Sequence, residues 1–114
     1  MKRLGRHVIL EFWGCQELDT AQVEEALREA AEACQVSIID MKAYPYSPHG
    51  VTGVAVLSES HMTVHTWPEY GYAALDIFTC GQGRDPATAI PVLVRHFQAA
   101  QVQIVEVDRG VALD

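Results

Sequence analysis

"LSESHMTVHTWPEYGYAALDIFTC", residues 57–80, decides how this chain folds. Successive side chains of an extended strand point to opposite sides, so residues 61–66 put His61, Thr63 and His65 on one face and Met62 and Val64 on the other. Beyond Trp67-Pro68-Glu69 the alternation resumes. Ala73, Leu75 and Ile77 take a core face, and Tyr72, Asp76, Phe78 and Cys80 take the opposite one. Antiparallel pairing of the two segments would bring His65 and Cys80 onto one sheet face, which is too rich in His, Cys and aromatic residues to be merely solvated.

The same patterning runs outward from this stretch. Val8, Leu10 and Phe12 alternate with His7, Ile9, Glu11 and Trp13, so residues 4–13 read as a strand with one clearly apolar face. Asp19 with Gln22 three residues on is a helix N-cap signature. Val23, Ala26, Leu27, Ala30 and Cys34 then recur at helical spacing. Residues 36–44 form the next strand, ended by the Pro/Gly loop "YPYSPHG", and residues 51–58 precede the opening stretch as another. Asp85 and Pro86 fit an N-cap and first helical position, with Ile90, Leu93, Val94 and Phe97 on one face. Pro91 interrupts that pattern, so this helix either starts late or bends there. "QVQIVEV" closes the chain as a strand. The order βαβ, a run of strands, then αβ specifies an α+β fold: a two-layer sandwich, mainly antiparallel, with two helices on one face of the sheet.

A chain of 114 residues, 49% of them apolar, suits a single domain spanning 1–114. Its three cysteines are odd in number and widely spaced, which excludes a disulfide framework and a CxxC metal knuckle. The start "MKRLGRHVILEFW" is too short and too interrupted for a signal peptide or membrane span, so a cytoplasmic location is expected and no membrane partner. A net charge of -7 without clustered lysines disfavours nucleic acid and suits a cationic small molecule.

"GRHVILEF", "GVTGVAVLSESHMTVHTWPEYGYAALDIFTCG" and "VEVDRG" together resemble the bacterial short-chain form of the S-adenosylmethionine decarboxylase proenzymes, pyruvoyl-dependent enzymes of polyamine synthesis. The likeness covers most of the chain. It implies self-cleavage between Glu59 and Ser60, giving fragments 1–59 and 60–114, with a pyruvoyl group made from Ser60 as the cofactor. It further implies His65 as the processing histidine, Cys80 as the proton donor to substrate, Glu69 as acceptor from the ribose hydroxyls, and aromatics holding the adenine. The substrate would be S-adenosylmethionine, and the products CO₂ and decarboxylated S-adenosylmethionine, the aminopropyl donor for spermidine.

These residue types suit that chemistry. A serine hydroxyl can attack the preceding carbonyl to make an ester, and the ester can leave by β-elimination once a base takes the α-proton. A histidine of near-neutral pKa suits the base. Two positions depart from the family pattern. Thr52 stands where relatives carry a serine that supports processing, and Tyr46 stands where the adenine-stacking residue is phenylalanine. The departures leave a second reading, the same machinery decarboxylating arginine or ornithine. A third is a non-catalytic or metal-binding relative using His61, His65 and Cys80; it lacks a fourth ligand, and no metal is expected. His61 belongs to the motif without a definite role and would only shape the cleavage turn. Asp76 reads as a surface charge, and Cys15 and Cys34 as structural residues. The open sheet face, bearing Tyr72, Phe78, His65 and Cys80, predicts a homodimer of cleaved protomers with sites near the boundary, as the resemblance also implies.

Overall fold

The computed structural model describes residues 3–80 and 84–112, which form a six-stranded sheet covered on one face by two α-helices. The elements are β1 (Gly5–Trp13), α1 (Thr20–Ala33), β2 (Ile38–Pro45), β3 (Val51–Leu57), β4 (Ser60–Trp67), β5 (Tyr72–Cys80), α2 (Ile90–Phe97) and β6 (Gln101–Arg109). The sheet order is β2-β3-β4-β5-β1-β6, and each neighbouring pair is antiparallel. The expected α+β sandwich is therefore present, with a sheet that is antiparallel throughout. Gly81, which closes the Thr-Cys-Gly motif, lies outside the described residues.

Local signals explain the elements. Asp19 caps α1 by accepting from the Gln22 amide at 2.8 Å, and the Gln22 side chain accepts from the Asp19 amide at 2.9 Å. This satisfies two otherwise unpaired donors of the first turn. Asp85 caps a 3-10 turn, Pro86–Ala89, and α2 begins only at Ile90. Pro91 then falls in the first turn of α2, where a missing N–H costs nothing, so the helix starts late and is not bent.

The core lies between the helices and the sheet face bearing Val8, Leu10, Phe12, Ala55, Met62, Val64, Leu75 and Ile77. Val23, Ala26, Leu27 and Ala30 of α1 and Leu93 and Phe97 of α2 close it from above. Each such large apolar side chain contributes about 1.5–3 kcal/mol of burial. Phe12 and Phe97 meet edge to face with centroids 5.9 Å apart. Gly53 marks a close approach of α1, because a Cβ there would come within 2.6 Å of Val23 Cγ1.

The helices do not reach β6. It is exposed along its length, with apolar Val102, Ile104, Val105 and Val107 among its residues. Among the described residues the other sheet face carries no layer of its own, and Ile9, Trp13, Val56 and Trp67 are exposed on it. No helix among the described residues is long and apolar enough to cross a membrane.

Candidate active site

β3 and β4 join through only Ser58 and Glu59, since Leu57 pairs directly with Ser60. Glu59 has φ +63°, a left-handed conformation that costs an L-residue with a Cβ free energy. Strain is thus concentrated on the residue whose carbonyl Ser60 would attack. Ser60 Oγ lies at the end of β5, accepting from the Cys80 amide at 3.4 Å. The serine and the cysteine expected to act in sequence are thereby neighbours.

Five residues along β4, the other half of the expected site gathers around His65. Thr52 Oγ1 donates to the Tyr46 hydroxyl at 3.1 Å and lies 3.1 Å from His65 Nδ1. Thr52 thus engages His65 through Nδ1, and Nε2 is the ring nitrogen placed to act as a base. His49 Nε2 contacts Glu69 Oε2 at 3.2 Å; Glu69 sits in a 3-10 turn, Pro68–Tyr70, that ends on Gly71 at φ +61°. Tyr46, His49, Thr52, His65, Trp67 and Glu69 line one cleft of about 380 Å³. Its aromatic, carboxylate and hydroxyl groups suit a nucleoside with a positive charge. An aromatic row continues it across the sheet, from His65 to Trp67 at 6.2 Å, Trp67 to Tyr72 at 5.3 Å and Tyr72 to Trp13 at 4.4 Å. Burial, with the carboxylate of Glu11 accepting from its hydroxyl at 2.6 Å, pushes the Tyr72 phenol up to about 12.

The two halves are apart within one protomer. Ser60 and His65 are separated by about 17 Å at 3.4 Å per residue. Cys80 and Ala74, the partner of His65, stand roughly 20 Å apart on β5 by the same spacing. His65 and Cys80 do share the open face, as the alternation requires, but a single chain cannot direct His61, His65 and Cys80 at one metal ion. Of the other two cysteines, Cys15 lies behind the Glu69 turn, its amide donating to the Gly71 carbonyl at 2.9 Å, and Cys34 packs at the end of α1. Cys34 is buried and Cys15 half-buried, and burial pushes both thiols above their ordinary value.

Between the halves lies a cluster that the sequence did not reveal. Asp76 accepts from the Thr63 hydroxyl and from His7 Nε2 at 2.7 Å, and His61 Nε2 stands 3.5 Å from the same carboxylate. Arg109 Nη1 donates to His7 Nδ1 at 2.9 Å. Partial burial raises the Asp76 carboxyl, but hydrogen bonds from Thr63 and His7 and the attraction of the His61 ring outweigh it and hold the group below its ordinary value. His7, His61 and Asp76 are close enough to ligate a cation. The guanidinium at His7 Nδ1, however, fixes the proton on Nε2, so that nitrogen donates to Asp76 and offers no lone pair to a metal. Residues 7, 76 and 109 lie far apart in the chain, and only the insertion of β1 between β5 and β6 unites them.

Residues 6–110 match the family model described as S-adenosylmethionine decarboxylase. The chain is 51% identical to the S-adenosylmethionine decarboxylase proenzyme of Thermomicrobium roseum, covering 100% of both chains. It is 49% identical to the proenzyme of Methanococcus aeolicus, over 96% of this chain and 97% of that one. Among solved structures, the adenosylmethionine decarboxylase of Aquifex aeolicus superposes with a TM-score of 0.90 at 28% identity, covering 100% of this chain and 97% of that one.

Proposed function

Because the chain belongs to the S-adenosylmethionine decarboxylase family, we propose that it cuts itself at Glu59-Ser60 and works as a dimer whose sites each combine residues of two protomers. It converts S-adenosylmethionine to decarboxylated S-adenosylmethionine and CO₂ in polyamine synthesis. The relatives named above are S-adenosylmethionine decarboxylases, and none supports arginine or ornithine as the substrate.

One observation carries the composite site: Ser60 and Cys80 stand together at one end of the sheet, and His65, Thr52 and Glu69 at the other. Two such faces laid together about a two-fold axis running across the strands superpose unlike ends. Ser60 of one protomer then meets His65 of its partner, twice. The exposed Ile9, Trp13, Val56 and Trp67 support burial of this face.

In processing, Ser60 Oγ attacks the Glu59 carbonyl carbon, the amide C–N bond breaks and an ester forms. The partner's His65 takes the Ser60 α-proton at Nε2, and the Glu59 carboxylate leaves. Water then replaces the nitrogen of the resulting dehydroalanine, ammonia departs, and a pyruvoyl ketone remains on residue 60. Ser60 fits this origin, since its hydroxyl follows directly on the strained Glu59. That ketone supplies an electron sink for the carboxylate's departure. Cys80 delivers a proton to the substrate α-carbon, while Glu69 accepts from the ribose and Tyr46 stacks on the adenine. Burial between two sheets excludes water. Three free thiols suit a reducing, cytoplasmic setting.

Co-production of Ser60→Ala and His65→Ala chains tests the composite site. Each variant alone stays uncut; a mixed dimer retains one intact Ser60–His65 pair, so intact mass shows cleavage of the His65→Ala chain and product analysis shows decarboxylation. Absence of fragments 1–59 and 60–114 from mixed dimers contradicts the shared site, and their absence from the unaltered protein contradicts self-cleavage itself.

A further inference from the structure

Cleavage between Glu59 and Ser60, the reading on which this inference rests, removes the loop that ties β4 to β3. Residue 60 is then a chain terminus, attached only through the amide of His61. New termini fray unless side chains tie them down. Here the first side chain of the shortened strand is held on two sides. The His61 ring stacks on Phe78, its direct partner on β5, with centroids 5.6 Å apart and planes 10° from parallel. Its Nε2 stands 3.5 Å from Asp76. Asp76 is itself immobilised by Thr63 and by His7, and His7 by Arg109, whose guanidinium also lies over Phe78 at 5.6 Å. The Asp76 side chain is only 24% exposed, so its contacts are less screened than those of a surface pair.

We propose that Asp76 and Phe78 are positioning residues that clamp His61 and so hold the reactive terminus of β4 in register against Cys80 once the backbone tie is lost. Before cleavage the hairpin performs this task and the clamp is redundant; afterwards the clamp reinforces the ladder to β3 and β5 where the strand now ends. The clamp thus gives His61 and Asp76 work in turnover and none in the cut.

Hydrogen exchange on the dimeric protein, cleaved and uncleaved, separates this from a general structural role. Asp76→Asn keeps the shape of the side chain and removes its charge. In the cleaved enzyme it accelerates exchange at residues 61–64 by about fivefold, the size a half-exposed ion pair supports. It also lowers kcat with KM for S-adenosylmethionine little changed. In an uncut Ser60→Ala chain the same substitution leaves exchange at those residues unaltered. Phe78→Leu, which removes the stacking surface, reproduces the pattern. Equal acceleration in both backgrounds, or none in the cleaved one, overturns the clamp. Intact mass is read on every sample: an unaltered chain that never yields 1–59 and 60–114 overturns the cleavage reading and the clamp with it, whereas normal cleavage with unchanged exchange overturns the clamp alone.

Discussion

Replacing Glu59 with glycine slows self-cleavage. Glu59 is held at φ +63° by a loop of two residues, and an L side chain in that region costs about 1 kcal/mol relative to glycine. When Ser60 Oγ displaces the amide nitrogen, Cβ and Oγ enter the main chain between the Glu59 carbonyl and the Ser60 Cα. The loop lengthens, and the constraint on Glu59 relaxes. Strain of about 1 kcal/mol released on the way to the ester corresponds to roughly fivefold in rate, since each 1.4 kcal/mol is tenfold. Two substitutions isolate it. Glu59→Ala removes the carboxylate and keeps the Cβ, whereas Glu59→Gly removes both. In a time course of intact mass on freshly purified protein, the glycine variant should cut about fivefold more slowly than the alanine variant. Equal rates, or a faster glycine variant, refute strain as a contributor.

Three further outcomes are expected. Cys80→Ala should cleave normally yet lose roughly a hundredfold or more in kcat, the scale of a missing general acid; full decarboxylase activity, measured as released CO₂, would move the proton to another group. Gly53→Ala forces a methyl group to 2.6 Å from Val23 and 3.2 Å from Leu27, so urea unfolding should show a loss of about 1–3 kcal/mol; an unchanged midpoint would mean that α1 can shift freely. The Asp76 carboxyl titrates below its ordinary 3.8 in the folded protein. Its contribution is therefore complete above about pH 5 and fades as pH falls through 3.8 towards the lower folded value. Urea midpoints between pH 6 and 3 should fall less steeply for Asp76→Asn than for the unaltered protein, and parallel profiles would contradict the assignment.

Much of the fold was legible because its signals are local. The Asp19–Gln22 capping box, the alternation in β1, β4 and β5, and the loop at "YPYSPHG" each involve neighbours in sequence. Pro91 was ambiguous on the page because whether a proline breaks a helix depends on where the helix starts, which Asp85 misstates by capping a 3-10 turn instead. The site was half legible. Residue types single out Ser60, His65 and Cys80 as candidates, but closeness in sequence suggests closeness in space, and an extended strand makes five residues a long distance. That arithmetic was available from the strand assignment alone. The Asp76 cluster was not, because His7 and Arg109 reach it only through the placement of β1 in the sheet, and Asp76 therefore looked like an ordinary surface charge.

The strand order has a consequence for how the molecule can be made. Residues 1–59 supply β1, β2 and β3, and residues 60–114 supply β4, β5 and β6. In the sheet, three of the five seams, β3–β4, β5–β1 and β1–β6, join strands from opposite sides of the Glu59-Ser60 bond. Cutting that bond leaves the interleaved pieces hydrogen-bonded together, yet it changes the molecularity of folding. The uncut protomer refolds by a first-order process, and only its pairing into dimers depends on dilution. The cut protein, once unfolded, must recover through an encounter of two polypeptides, at a rate that falls with concentration and becomes negligible when dilute. The proposed self-cleavage would thus act as a ratchet: the chain folds once in one piece, and the finished enzyme persists by the slowness of its unfolding.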